Sequence, residues 1–214
     1  MKLLIICYVP ELNVGNSMKN LAAKIQNAFV QAGQKRKKIL DVIVITERNR
    51  ARVIKELSEM KEYLQIANRK GIVYYYGHGD QVRDRSGDEI DGKDEMWKTQ
   101  GILDDDLSKM FTSMHNTSKL YVFSDSCSSG SMIDKKYNTK DWVTFSSCND
   151  AQDSLATSDG GVFTLWGLIP ALQNLAVCSP YNIHRFICRN VEIHSQSSLL
   201  HFNQKKTLYE DIFQ

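Results

Sequence analysis

Apolar residues fall in short continuous runs separated by stretches in which they recur every three or four positions. The runs "LLIICYV" (3–9), "ILDVIVIT" (39–46), "GIVYYYG" (71–77), "KLYVFS" (119–124) and "WVTFSS" (142–147) each predict a buried strand. Met18, Leu21, Ala22, Ile25, Ala28 and Phe29 form one stripe at helical spacing, and Val53, Ile54, Leu57, Met60 and Leu64 form a second. Leu107, Met110, Phe111 and Met114 mark a shorter third helix. The stretch from 78 to about 101 reads as a long polar loop. Residues 161–175 carry a helical pattern broken by Gly167 and Pro170, which predicts a kink or a late start. A helix over 181–194 and a last strand near "SLLHFN" complete the expected order. Strand and helix alternate, and the strands are apolar throughout rather than alternating. The prediction is an α/β protein with a mainly parallel sheet covered on both faces.

Composition narrows the class without naming a chemistry. A chain of 214 residues, 42% hydrophobic and 24% charged, is sized for one domain with its own core. The net charge of +2 predicts neither a nucleic-acid partner nor a membrane surface. The basic run "QKRKK" (34–38) reads as a solvated loop after a helix end, where cations are favourable. Five cysteines (Cys7, Cys127, Cys148, Cys178, Cys188) show no metal or disulfide spacing, so reduced thiols in a cytoplasmic compartment are expected. The apolar run in the opening segment is only about seven residues and no small-x-small cleavage site follows, which favours a first strand over a signal peptide. No segment reaches transmembrane length.

Two strand ends concentrate reactive residues. The third strand runs into Gly77-His78-Gly79, and the fourth into Asp125-Ser126-Cys127. In a parallel sheet, right-handed crossovers bring such ends to one edge, where ligands bind. A thiol with a pKa near 8.5 needs a neighbouring imidazole to become a nucleophile, and the imidazole can return the proton to a leaving group. Glycines beside His78, and Ser-Ser-Gly after Cys127, allow backbone N–H groups to approach a substrate carbonyl. A packed core thiol and a structurally satisfied histidine remain the other reading of the same residues.

The segments "YYYGHGDQ", "GDEIDGKDE", "ILDDDL" and "YVFSDSCSSGSMID", followed by "FSSCNDAQDSLA" and "GGVFTLW", resemble in order and spacing the core of the metacaspases, caspase-fold cysteine peptidases. The match runs over about residues 71–166; earlier it rests on strand pattern and on "ELNVG". The resemblance implies a caspase-like three-layer α-β-α sandwich with a sheet of about six strands. It implies a single peptidase domain over 1–214, with a large-subunit-like part to about 135 and a small-subunit-like part from about 140; as a departure from the family, no proline-rich prodomain is expected before the first strand. It makes His78 and Cys127 the catalytic dyad, gives the oxyanion contacts to the backbone of Gly79 and Cys127, and puts Asp125 at the floor of a pocket for Arg or Lys. Cleavage after those residues would pass through a thioester.

The family's second pocket acid falls in a block like Gly-Cys-x-Asn-Asp. The stretch here reads Val14-Gly15-Asn16-Ser17-Met18, so Met18 stands where that aspartate is usual. Glu11, Asp150 and Asp153 are the alternatives for it. Ser128 stands at the family's usual histidine.

Residues 80–106 hold ten Asp/Glu against four Lys/Arg. Asp104-Asp105-Asp106 fits a helix start, where carboxylates are favourable. The additional cluster Asp88, Glu89, Asp91, Asp94 and Glu95 offers oxygen ligands of the kind calcium takes, without an EF-hand pattern. The resemblance implies calcium activation and matches the ion's ligands to Asp88, Asp104, Asp105 and Asp134. Lys135 and Lys136 form a candidate self-cleavage site, with solvated loop lysines as the equal alternative. The partners expected are protein or peptide substrates, and the resemblance implies a monomer. Two rival functions stay open: a catalytically silent caspase-like module that binds partners, and a caspase-fold peptidase with non-basic specificity.

Overall fold

The structure, a computed structural model, describes residues 1–12, 16–84, 92–130, 132–133, 137–149 and 152–214. Strand β1 (Lys2–Cys7) leads through a 3-10 turn (Pro10–Leu12) into helix α1 (Ser17–Gln34). β2 (Asp41–Ile45), α2 (Arg50–Leu64) and β3 (Lys70–Tyr76) follow. Three short strands come next, β4 (Gly79–Arg83), β5 (Lys93–Trp97) and β6 (Ile102–Leu103), then α3 (Asp104–Met110). β7 (Lys119–Asp125), β8 (Asp141–Ser146), β9 (Ala156–Thr157) and β10 (Gly160–Gly161) precede a π-helical turn at Phe163–Leu168. The chain ends with α4 (Ile169–Asn174), α5 (Pro180–Val191) and β11 (Leu199–Phe202), the last followed by a 3-10 turn at Lys205–Tyr209.

The main sheet has six strands in the order β11-β8-β7-β3-β1-β2. All of its pairings are parallel except β11 against β8. Side chains alternate between its faces, so each strand feeds two cores. Leu3, Ile5, Ile72, Tyr74, Tyr121 and Phe123 join α1, α4 and α5 on one face. Leu4, Ile6, Val73, Tyr75, Leu120 and Val122 join α2 and α3 on the other. This double burial is why the strands read as unbroken apolar runs. The three-layer α-β-α arrangement is the one the sequence predicts.

Two stretches depart from the expected order. The region read as a polar loop forms an antiparallel sheet, β4-β5-β6. It escapes the hydrophobic pattern because Asp94 and Glu95 are themselves buried in β5. Trp97 anchors this small sheet: its ring stacks on Tyr75 at 4.5 Å between centroids, and its Nε1–H donates to Ser124 Oγ at 2.9 Å. The expected break near Gly167 and Pro170 takes the form of a π turn running into α4, with Pro170 near the helix start, where a missing N–H costs nothing.

Candidate functional site

The site grows from the register of three strands. Cys7 pairs with Tyr76, and Tyr76 pairs with Asp125, so β1, β3 and β7 finish side by side. His78 lies two residues beyond Tyr76, and Cys127 two residues beyond Asp125. Both line one cleft of about 260 Å³ with Val9, Glu11, Leu12, Tyr76, Asp125, Ser154 and Ala156. Asp80 to Arg83 of β4, Gly92, Lys93 and Ser128 border a second depression of about 490 Å³.

The backbone at His78 is firmly held. Its carbonyl accepts from the Tyr75 hydroxyl at 2.8 Å and from the Lys98 N–H at 3.0 Å, and its N–H donates to Thr99 Oγ1 at 3.2 Å. The ring reaches Glu11, with Nε2 to Oε2 at 2.7 Å. This hydrogen bond holds the Glu11 carboxyl below its ordinary value. Gly79 packs directly on the nucleophile loop. A Cβ at position 79 would lie 1.8 Å from the Cys127 carbonyl oxygen, so only glycine lets β4 start there.

Cys127 is half-buried, and its Sγ accepts from the Ser154 N–H at 3.3 Å. Burial pushes the thiol up and the nearby Asp153 carboxylate adds to this, against the lowering effect of the Ser154 N–H. The resting side chain is therefore a thiol, and it needs a base at the moment of reaction. No hydrogen bond joins it to His78 among the described residues. Ser128 turns the chain with φ +46, a left-handed conformation uncommon for a side-chain-bearing residue. A serine network braces the loop from below. The Ser126 N–H donates to Ser147 Oγ at 3.1 Å, Ser147 Oγ donates back to the Ser126 carbonyl at 3.0 Å, and Ser146 Oγ donates to the Ser129 carbonyl at 2.5 Å. Cys148 lies under the same loop, its single S–H within hydrogen-bonding distance of the carbonyls of Ser126 and Gln152, and its burial also pushes it up.

Asp125 sits at the bottom of the cleft, 1% exposed. Its Oδ2 accepts from the Thr164 N–H at 3.2 Å and the Thr164 hydroxyl at 2.6 Å, and its Oδ1 accepts from the Ser154 hydroxyl at 3.0 Å. The Thr164 N–H is available because it lies in the first turn of a helical segment, where backbone donors lack an intrahelical partner. Burial pushes the Asp125 carboxyl up to about 6 in spite of these three donors. Gly161 makes room for it: a Cβ there would lie 2.1 Å from Oδ2. Thr164, Ser154 and Gly161 are the residues that sequence reasoning missed. Only Gly161 had a local signal, the paired glycines of "GGVFTLW" that precede the helical pattern.

A sequence model of the family described as metacaspase, peptidase C14 domain, matches residues 12–136. The chain belongs to the metacaspase family. It is 28% identical over 176 residues to Metacaspase-1 of Plasmodium falciparum, a stretch covering 68% of this chain and 28% of that protein. It is 30% identical over 112 residues to Metacaspase-1 of Saccharomyces cerevisiae, covering 45% of this chain and 26% of the relative. A third relative, Metacaspase-3 of Arabidopsis thaliana, is 36% identical over 74 residues, covering 31% of this chain and 20% of that one. The chain thus spans less than a third of the length of these curated relatives. The crystal structure of protein GSU0716 from Geobacter sulfurreducens superposes with a TM-score of 0.72 at 21% identity, covering 100% of this chain and 98% of that one. That likeness concerns the fold, which is caspase-like.

The remaining residues singled out on the metacaspase resemblance are distributed as follows. Met18 lies in the first turn of α1 and is buried in the core. Asp153 lies beside the Cys127 thiol. Asp104 and Asp105 open α3, Asp104 buried and Asp105 paired with Lys109 at 2.7 Å. Asp88, Asp134, Asp150, Lys135 and Lys136 lie outside the described residues. No helix among the described residues is long and apolar enough to cross a membrane.

Proposed function

We propose that the chain is a calcium-stimulated cysteine endopeptidase that cleaves after Arg or Lys. The observation that carries this reading is the placement of His78 and Cys127, each two residues past a register-paired strand end, over a cleft floored by the buried carboxylate of Asp125. A basic side chain entering the cleft passes apolar walls and meets that buried carboxylate, forming a charge-assisted hydrogen bond. The scissile carbonyl then lies over Cys127, with the N–H groups of Gly79 and Cys127 as its oxyanion donors. His78 takes the Cys127 proton as sulfur attacks the carbonyl carbon. It gives that proton to the amine as the C–N bond breaks, leaving a thioester. Water, activated by the same imidazole, hydrolyses the thioester and regenerates the thiol.

The acidic segment offers calcium carboxylate ligands of the right chemistry, although the described residues alone bring no three such groups together. Asp104 and Asp105 supply carboxylate oxygens at the start of α3, and a hard cation takes six to eight such ligands. One Asp105 oxygen is held by Lys109 here, so binding would exchange that pair for the ion. Asp88 and Asp134 would complete the set, and Asp134 follows Cys127 by seven positions in sequence. Self-cleavage after Lys135 or Lys136 follows from the same specificity.

The test is turnover of fluorogenic peptides carrying Arg, Lys or a neutral residue before the cut, with and without millimolar calcium. Turnover that favours Arg and Lys, rises with calcium and vanishes in Cys127→Ala supports the reading. No Cys127-dependent turnover on any peptide points instead to a silent binding module, and turnover on neutral peptides alone to another specificity. A wild-type chain that stays intact on a gel after incubation with calcium removes self-processing.

A further inference from the structure

We propose that Glu11 is the positioning residue for the His78 imidazole. Three hydrogen bonds fix the His78 main chain, yet none of them reaches the ring, which is partly open to solvent. Two side-chain torsions therefore remain to be set. The hydrogen bond that sets them comes from Glu11 Oε2, 2.7 Å from Nε2, and it is the ring's one hydrogen-bond partner among the described residues.

The contact is built by the sheet. β1 and β3 are neighbours, and their pairing continues past the last strand residues, where the Tyr8 N–H donates to the Tyr76 carbonyl at 3.0 Å. Glu11 comes four residues after Cys7, on a 3-10 turn begun by Pro10 and tied by the Ser17 hydroxyl to the Leu12 carbonyl. A ring proline and a short 3-10 turn leave this segment little freedom, so the carboxylate is presented beside the end of β3.

The chemistry follows from which nitrogen is occupied. A carboxylate only accepts, so Nε2 must carry the proton in the neutral ring. Nδ1 is then left with its lone pair, as the nitrogen that can take a proton from a thiol. An imidazole without such a partner divides between two tautomers and several orientations. No hydrogen bond joins Glu11 to Cys127 among the described residues, and Glu11 acts through His78. The inference rests on the reading of His78 as the base, and it gives Glu11 work different from that of a second pocket acid for a basic side chain.

The experiment compares wild type with Glu11→Ala and Glu11→Gln by three measurements. Imidazole 15N shifts of His78, recorded where the ring is neutral, should report a single Nε2–H tautomer in wild type and a mixture in Glu11→Ala. Glu11→Gln, whose amide oxygen can still accept from Nε2–H, should keep most of the wild-type signature. On a basic peptide, Glu11→Ala should lower kcat by roughly 10- to 100-fold with KM changed less than about twofold, and Glu11→Gln should recover a large part of the loss. Iodoacetamide labelling of Cys127 in Glu11→Ala should slow towards the rate of His78→Ala. An unchanged tautomer in Glu11→Ala overturns the proposal. So does a rise in kcat, which would make Glu11 a restraint on the base, or a rise in KM alone, which would make it a pocket acid. The tautomer and labelling measurements need no peptide turnover. If both respond while no peptide is cleaved, the positioning role stands and the peptidase reading fails.

Discussion

The floor and the rim of the cleft each carry a carboxylate, and the two are in opposite physical states. Asp125 ends a central strand, is fully buried, and is held by donors that are all uncharged. Its carboxyl is pushed up to about 6. Glu11 stands on an exposed turn, already partnered by His78, with its carboxyl held low. Burial decides the difference. At the floor, desolvation leaves an anion that uncharged donors only partly compensate, so the site is poised for a cation. At the rim, water screens the charge, and the carboxylate's value lies in geometry rather than energy. One functional group does two kinds of work because the fold gives it two dielectric environments.

The largest expected effect falls on the residues placed over that floor. Cys127→Ala should abolish turnover, by roughly 10⁴-fold or more, and His78→Ala by about 10²- to 10⁴-fold, as measured by initial rates on one basic peptide. Gly79→Ala comes next. Its Cβ would meet the Cys127 carbonyl oxygen at 1.8 Å, a backbone atom that cannot swing aside. Turnover should fall at least about 10²-fold through displaced oxyanion donors, with about 1–3 kcal/mol lost in chemical denaturation.

Asp125→Asn sharpens the comparison through pH. The folded carboxyl lies at about 6 against an ordinary value of 3.8, so the folded state binds its proton more tightly than the unfolded chain does. The stability Asp125 contributes is therefore full below pH 3.8 and is lost as pH rises through about 6. The interval corresponds to about 3 kcal/mol. Denaturation midpoints at several pH values between 4 and 7 should show this decline in wild type, and the decline should be reduced in Asp125→Asn. The same variant should lose turnover on Arg and Lys peptides. The smallest effect concerns the acidic segment. Lys109→Ala frees an Asp105 oxygen from an exposed lysine and should lower the calcium concentration for half-activation by a few-fold at most, whereas Asp105→Ala should remove the response.

How much was legible in advance varies by element. β1, β3 and β7 were readable because their runs are buried on both faces, and α1 and α2 because each buries one stripe. The sheet β4-β5-β6 was not, since buried Asp94 and Glu95 interrupt any apolar pattern in β5. His78, Cys127 and Asp125 stood out by their positions after strands. Thr164 and Ser154 did not, because nothing local to a threonine or a serine tells which distant carboxylate it will face.

The sequence by itself determined the layer order of the sheet and its helices and the chain positions of the candidate dyad. Periodicity and strand-end placement are local properties, and a linear chain records them directly. Only the tertiary structure decided that Glu11 meets His78, that Gly161 and Thr164 close around Asp125, and that Gly79 rests on the Cys127 backbone. Those contacts join residues between 36 and 67 positions apart in the case of the three side-chain and glycine pairs with Asp125 and His78. Whether such residues meet depends on strand register and on burial, which no short window of sequence contains.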